Sequence, residues 1–454
     1  MTDRHVVVVG GGIAGLAAAH ALLVSSRPPR VTVFEASDQL GGKIRTSPFA
    51  GLGAVDEGAD AFLARVPWAT ELAEAVGLEQ VLTSPAVQRA SIWMDGLHDL
   101  PEGLLLGMPT DLASMARSGL FGWQAKLRAA TEPLRPRTST SNDSLGQFVR
   151  ARFGDQVHER LVDPLVGSIY AADTDRFSLA AVAQIAELAM QSRSILLAAR
   201  RRPAAPSGPV FYAPTGGVGQ LIAATADVVR RAGGNIATST PVHNLDADGQ
   251  AWRVNDLRAD DVILACPANA TDRLIGAASH AGGINVAGFG QIEAADVVLV
   301  TLAIPAAQWP AHLLLRSGYL VPKSHQRLVT AVSFGSSKWQ HWRSDDQIIL
   351  RISLGRDGLP VLHLTDQELL AAAVDEVGSH LGIDLQPVAS RISRWPAAFP
   401  QYRPHHAALV ASIERALPRG IHVAGASYHG IGIPACVRSG SLAADAIQSG
   451  QASR

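Results

Sequence analysis

The chain has 454 residues, more than a single hydrophobic core usually spans, so two or three domains are expected. Charged residues make up 17% and the AVILMFWYC set 47%, which excludes an intrinsically disordered chain. A formal net charge of −1 excludes a global electrostatic attraction to nucleic acid or to an anionic membrane, and the local run Arg200-Arg201-Arg202 reads as a solvated loop.

The opening "MTDR" leads straight into Val6 to Val9, so no signal peptide is expected, and no apolar run is long enough to span a bilayer. A cytoplasmic protein is expected. The β-branched run predicts a strand buried on both faces of a parallel sheet. Gly10, Gly12 and Gly15 follow as G-x-G-x-x-G, within "GGGIAG" (Gly10, Gly11, Gly12, Ile13, Ala14, Gly15), and a helix is predicted from Ile13 to Leu23. The first glycine permits a tight turn, the second a close backbone approach to a pyrophosphate, the third close packing of helix on strand. A second strand, "RVTVFEAS", ends in Glu35, where an acid hydrogen-bonds an adenosine ribose and repels a 2′-phosphate, so FAD or NAD is favoured over NADP.

"LGGKIRT" (Leu40 to Thr46) brings a further glycine pair beside Lys43 and Arg45, and "VDEGADAF" offers small residues where a flat ring could lie. Residues 66 to about 210 read as helical, with helical periodicity from Ser178 to Ala199. "LPEGLLLGMP" reads either as an apolar contact surface or as a buried loop. "GGNIATSTPVHNLD" and "DDVILACP" read as strands, and alternation in "DVVLVTLAI", "RLVTAVSF" and "QIILRISL" predicts a mixed sheet with helices on one face. The C-terminal "GIHVAGASYHGIGIPACVRSGSLAADAI" reads as strand, glycine-rich loop and a helix starting near Pro434. Its N-terminus could stabilise negative charge, and its small residues Ser439, Gly440, Ala443 and Ala444 permit close packing.

No metal site is expected: His405 and His406 are adjacent rather than one helical turn apart. There is no G-x-S-x-G elbow and no Cys–His motif. Cys266 and Cys436 read as small buried residues, not as covalent flavin attachments.

These ends, with the ordered blocks "WMDGLHDLP", "VDPLVGSIYAAD", "YAPTGGVGQL", "SFGSSKW", "LRISLGR", "FPQYRPHH" and "SYHGIGIPAC", resemble the protoporphyrinogen/coproporphyrinogen oxidase family of the flavin amine-oxidase superfamily, in its bacterial coproporphyrinogen III branch. The resemblance implies an α/β fold: a Rossmann-like FAD-binding domain built from both chain ends (1–65, 211–275 and 395–454), an α+β substrate domain (66–90 and 276–394) and a helical insertion (91–210). It implies non-covalent FAD held by Gly10, Gly11, Gly12, Ile13, Ala14, Gly15, Glu35, Ala36, Lys43, Gly58, Ala59, Asp60, Ala61, Val242, Trp395, Gly430, Ile431, Gly432 and Ile433. In "STPVHNL", Val242 reads as a strand edge on the adenine side; Trp395 is expected near the isoalloxazine. Two departures stand out: Gln39 and Lys43 fill the basic positions of the family's R-x-G-G-R, and His405 replaces a glycine.

The implied reaction is a six-electron oxidation of coproporphyrinogen III to coproporphyrin III in haem biosynthesis, with hydride passing to flavin N5 and O₂ giving three H₂O₂. Arg89 is expected at the substrate mouth and Tyr170 along the cavity. Arg316, Lys323, Arg327, Lys338, Arg351 and Arg356 are further candidates for holding propionates. No general base is assigned. The expected partners are the porphyrinogen and O₂, with product hand-over to a ferrochelatase and peripheral membrane contact as open options, and with the oligomeric state open. A protoporphyrinogen IX oxidase is the alternative substrate reading. An amine oxidase would share the termini but not the middle blocks, and a flavin-free escort protein would not need an intact phosphate cradle.

Overall fold

A computed structural model describes residues 4–201, 208–280 and 286–452, so Arg202 of the basic run lies outside the described residues. The strand His5–Val9 is buried along its whole length. It lies at the centre of a five-stranded sheet, ordered 235–237, 30–34, 5–9, 261–264, 421–423, in which every pairing is parallel. Side chains alternate along a strand. Val6 and Val8 therefore enter the core beneath the helix Ile13–Leu23, while Val7 and Val9 enter a second core with Trp252, Val254 and Ile413. The architecture is mixed α/β, a Rossmann-like parallel sheet joined to a second domain built on a mixed sheet.

The two chain ends meet through small residues. The C-terminal helix Ile433–Ala452 packs on Ile13–Leu23. A Cβ added at Gly440 would stand 2.1 Å from the Ala14 carbonyl oxygen, so only glycine allows this approach.

The second sheet has seven strands, ordered 389–400, 294–305, 347–354, 329–334, 318–320, 90–93, 97–99. Only the pair 318–320 and 90–93 is parallel, so the sheet is mixed. One face carries Val298, Val300, Leu302, Leu350, Ile352, Val332 and Phe334 into a core with the helix Asp366–Leu381. The other face is left to line a cavity.

Four expectations change. The stretch expected as one strand through "GGNIATSTPVHNLD" is two, Asn235–Ala237 and Leu245–Asp248, in different sheets. Ser239, at φ 50°, turns the chain between them, and the Ser239 and Thr240 amides are tied to the Ser37 and Glu35 carbonyls. Val242 consequently sits in a loop. Residues 178–199 hold two helices, Ala183–Gln191 and Ile195–Arg200. Between them Ser194 caps the second helix and donates to Glu132. Residues 66–210 also include short strands, among them the hairpin Leu104–Leu105 with Met108–Pro109, whose Met108 is buried; "LPEGLLLGMP" turns apolar residues inward. The helix Pro67–Ala75, expected with the substrate domain, shares the core of the first and last helices, whereas the strands 90–93 and 97–99 join the seven-stranded sheet, past the expected boundary at residue 90.

The helical insertion closes around one buried ion pair. Arg152 and Glu132 are 1% and 0% exposed at the side chain, and Glu132 also accepts from the Ser194 hydroxyl and the Ile195 and Leu196 amides. Removing one partner leaves the other charge buried and unpaired, which costs about 3–5 kcal/mol. Glu132→Ala is therefore expected to lower the unfolding free energy by about that amount, read as a lower urea midpoint at unchanged slope; an unchanged midpoint would show the pair to be dispensable.

Candidate functional site

A continuous cavity of about 1220 Å³ runs from the Gly10–Ile13 turn to the open face of the seven-stranded sheet. Ordinary ligand pockets hold roughly 300–1,000 Å³. This one has room for a dinucleotide and a second large molecule end to end.

The glycine turn shows which residues the fold needs and which a ligand needs. Gly10 has φ 114°, and a Cβ there would stand 2.8 Å from the Ala265 carbonyl oxygen. At Gly15 a Cβ would stand 2.0 Å from the Gly10 carbonyl oxygen. Protein packing explains both. Gly12 is different: its added Cβ would meet nothing nearer than the Gly41 carbonyl oxygen at 3.9 Å, and Gly12 lines the cavity. No protein atom forbids a side chain there, so the missing Cβ leaves space for the ligand backbone that the motif is built to approach. The helix starting at Ile13 has no side-chain cap, leaving its amides free for phosphate.

Glu35 stands at the edge of the cavity, its carboxylate fixed by the Gly11 amide at 2.7 Å and the Ser37 amide at 2.9 Å. Ile13, Ala14, Ala36, Lys43, Gly58, Ala59, Asp60, Val242, Trp395, Ile431 and Ile433 line the cavity with Gly10, Gly12 and Glu35. Gly11, Gly15, Ala61, Gly430 and Gly432 do not; Gly15 packs the first helix on the Gly10 carbonyl, and Gly430, at φ 125°, shapes the turn before the last helix. Lys43 donates to the Ala398 carbonyl, and burial pushes its ammonium down from the ordinary lysine value. Trp395 donates its indole N–H to the Glu57 carbonyl at 2.9 Å, which fixes the ring. Cys436 also lines the cavity; burial pushes its thiol up to about 11, so it stays protonated. These features fit a flavin dinucleotide: an open glycine at the turn, a carboxylate fixed at the end of the second strand and a second helix N-terminus beside the cavity residues Ile431 and Ile433.

The second half of the cavity is walled by alternate residues of the seven-stranded sheet, Val297 and Leu299, Arg351 and Ser353, Ala331 and Ser333, with Leu165, Gly167 and Ile169 opposite. Asp60 accepts from Lys338 Nζ at 2.8 Å and Trp339 Nε1 at 3.1 Å, and pairs with Arg351 at 3.2 Å. Burial alone would raise the Asp60 carboxyl, but the two cations outweigh it and hold it well below the usual carboxylate range.

Of the six basic candidates, Lys338 and Arg351 face the cavity. Arg356 is buried in a pair with Asp163, and Arg316, Lys323 and Arg327 pair with Asp99, Asp173 and Asp375. Arg89 does not line the cavity. Its half-exposed guanidinium is held by Asp99, which sits opposite Ser91 in register; Ser91 in turn sits opposite Tyr319, whose side chain packs on the helix-covered face. The cluster therefore belongs to the sheet face turned away from the cavity. Tyr170 does not line it either: its ring packs on Phe177 at 4.7 Å, while Ser168, Ile169 and Ala171 take the wall. The sequence reading missed Thr240, Cys266 and Arg273 at the dinucleotide end and the polar row Ser333 and Ser353 on the sheet. The period-two pattern of "RLVTAVSF" and "QIILRISL" carried the signal for the row; which phase faced the cavity was set by the distant helix 366–381.

Among the described residues there is no group of three His, Cys, Asp or Glu able to hold a metal, and no helix long and apolar enough to cross a membrane.

The family described as flavin containing amine oxidoreductase matches residues 13–448, and the chain belongs to it. Within it, the chain is 35% identical to the coproporphyrinogen III oxidase of Mycobacterium leprae over 99% of both chains, and 29% identical to that of Bacillus subtilis over 97% of both. A crystal structure from Exiguobacterium sp. 255-15, named provisionally as a protoporphyrinogen oxidase, superposes with a TM-score of 0.87 at 28% identity, covering 99% of this chain and all of that one.

The open space at Gly12 and the closed space at Gly15 give opposite expectations. Gly12→Val is expected to fold with a wild-type circular dichroism spectrum and to lose flavin absorbance. Gly15→Val is expected to lower the melting temperature or abolish folding. A yellow Gly12→Val protein would show that the turn holds no pyrophosphate.

Proposed function

We propose that this chain is an FAD-dependent oxidase that converts coproporphyrinogen III to coproporphyrin III with O₂ as acceptor. The observation that carries this reading is the continuity of the cavity from the open Gly12 turn to a wall bearing Lys338 and Arg351. The reaction removes six hydrogen atoms from the porphyrinogen and reduces three O₂ to three H₂O₂.

Gly12 and the first amides of the following helix would hold the pyrophosphate, Glu35 the adenosine ribose, and Lys43, Gly58, Ala59, Trp395 and the start of the helix 433–452 the ring system. When bound, the flavin supplies the hydride acceptor, its N5. The chain's own work is then to orient the substrate and exclude water. Val297, Leu299, Leu320 and Ala331 give an apolar wall for the macrocycle. Lys338 and Arg351 face the same space, and Asp60 engages a single N–H of the three on Lys338. The remaining donors suit substrate carboxylates. Asp60, already taken by two cations, is a poor proton acceptor, and the Cys436 thiol is too basic to ionise. Neither group is therefore assigned as the base for the pyrrole N–H proton.

Coproporphyrinogen carries four propionates and protoporphyrinogen two, so cations on the wall favour the former, in line with the 35% identity to the Mycobacterium leprae enzyme. The human protoporphyrinogen oxidase, 28% identical over 98% of both chains, keeps the second substrate as the alternative. The test supplies both porphyrinogens in air and follows porphyrin fluorescence and peroxide. Faster turnover of coproporphyrinogen with three peroxides per porphyrin is expected; a preference for protoporphyrinogen would move the chain to that activity, and no porphyrin from either would overturn the reading. Lys338→Met is expected to raise KM for coproporphyrinogen about ten- to a hundredfold, as the loss of a hydrogen bond to a charged group worth about 1.5–3 kcal/mol implies.

A further inference from the structure

The segment Tyr402–His406 belongs to no wall of the cavity, yet it is bound three times to the turn that precedes the C-terminal helix. The Tyr402 hydroxyl donates to the Ala426 carbonyl at 2.6 Å and accepts from the Gly430 amide at 2.7 Å. His406 Nε2 lies 3.2 Å from the Tyr428 carbonyl, to which its N–H donates. This turn leads directly to the cavity. Ala426 and Ser427 line it on one side of the turn, Ile431 and Ile433 on the other, and the helix 433–452 begins there.

The ring of Tyr402 is itself clamped. It is 3% exposed and stacks on His406 at 4.0 Å and 9°, and lies parallel to Phe177 at 6.2 Å. Burial raises its hydroxyl above the ordinary tyrosine value, so the proton stays in place to donate. His405, standing where the family pattern has glycine, takes φ 69° and starts the helix His406–Ala416; the left-handed turn is kept without the glycine, and His406 still reaches the ring.

We infer that Tyr402 is a positioning residue for the flavin: its hydroxyl, rather than its ring, fixes the Ala426–Gly430 turn and thereby the approach of Ile431, Ile433 and the following helix N-terminus to the isoalloxazine. The inference rests on the FAD reading above. Gly430 has φ 125°, and a Cβ there would stand 2.7 Å from the Ala435 Cβ, so the turn is shaped by glycine but held in place by the tyrosine.

The test compares Tyr402→Phe, which keeps the stacked ring and deletes the hydroxyl, with Phe177→Leu, which loosens the stack and keeps the hydroxyl. Both hydrogen bonds of the hydroxyl are lost in the first, so its FAD Kd is expected to rise about tenfold or more. Its flavin midpoint potential is expected to become more negative, because the positive helix end is less well fixed against the reduced ring. Phe177→Leu is expected to lower the melting temperature while Kd and potential stay at wild type. Wild-type Kd and potential in Tyr402→Phe would overturn the inference, as would an equal loss in Phe177→Leu. A wild-type chain that takes up no FAD overturns the cofactor reading and this inference with it, whereas a wild type that binds beside a variant that binds equally overturns this inference alone. Should Tyr402→Phe not fold, amide exchange at Gly430 in the FAD-stripped wild type decides: protection like that of the C-terminal helix supports the tyrosine's hold, and exchange at loop rates refutes it.

Discussion

The contact of the first helix with the last is the constraint on which the rest of the molecule depends. Gly440 lies against the backbone of Ala14 and Ala18, and Gly15 lies against the carbonyl of Gly10. Three layers of backbone, strand, first helix and last helix, are thereby stacked at distances that admit no side chain. Because the last helix is locked onto the first, its N-terminus is carried to the wall of the same cavity, where Ile431 and Ile433 line it. One terminus of the chain supplies the open Gly12 turn, and the other supplies the helix end beside Ile431 and Ile433 that lines the same cavity.

The second sheet works by alternation. Residues 298, 300 and 302 go under the helix 366–381, so 297 and 299 face the cavity; the neighbouring strand divides in the same way, placing Arg351 and Ser353 on the open face. The two cations of that face are restrained by Asp60, which comes from the N-terminal part of the chain. The N-terminal part of the chain and the sheet wall of the cavity are thus joined by an ion-pair cluster.

Much of this was legible in the sequence because its causes are local. A glycine at a tight turn, a β-branched run and an acid ending the second strand each act within a few residues, and Gly10, Gly12, Gly15 and Glu35 were placed by them. Small residues in the last helix announced close packing, though not its partner. Failures fell where long-range contacts decide. Arg89 adjoins Ala90, which does line the cavity, but its charge is claimed by Asp99 across a strand pairing that no local pattern reveals. The helix expected through 178–199 is broken because Ser194 has a buried partner, Glu132, some sixty positions earlier. The hydroxyl of Tyr402 likewise takes its meaning from Gly430, distant in sequence and adjacent in space.

The central claim is that a single cavity brings a porphyrinogen against a flavin held at Gly12. It is tested most directly by mixing the flavin-loaded protein with coproporphyrinogen III in the absence of oxygen and following the visible absorbance of the flavin. Rapid bleaching is expected, with the macrocycle oxidised by two electrons per flavin, and the yellow colour returns when air is admitted. A flavin that stays oxidised in the presence of the porphyrinogen would contradict it.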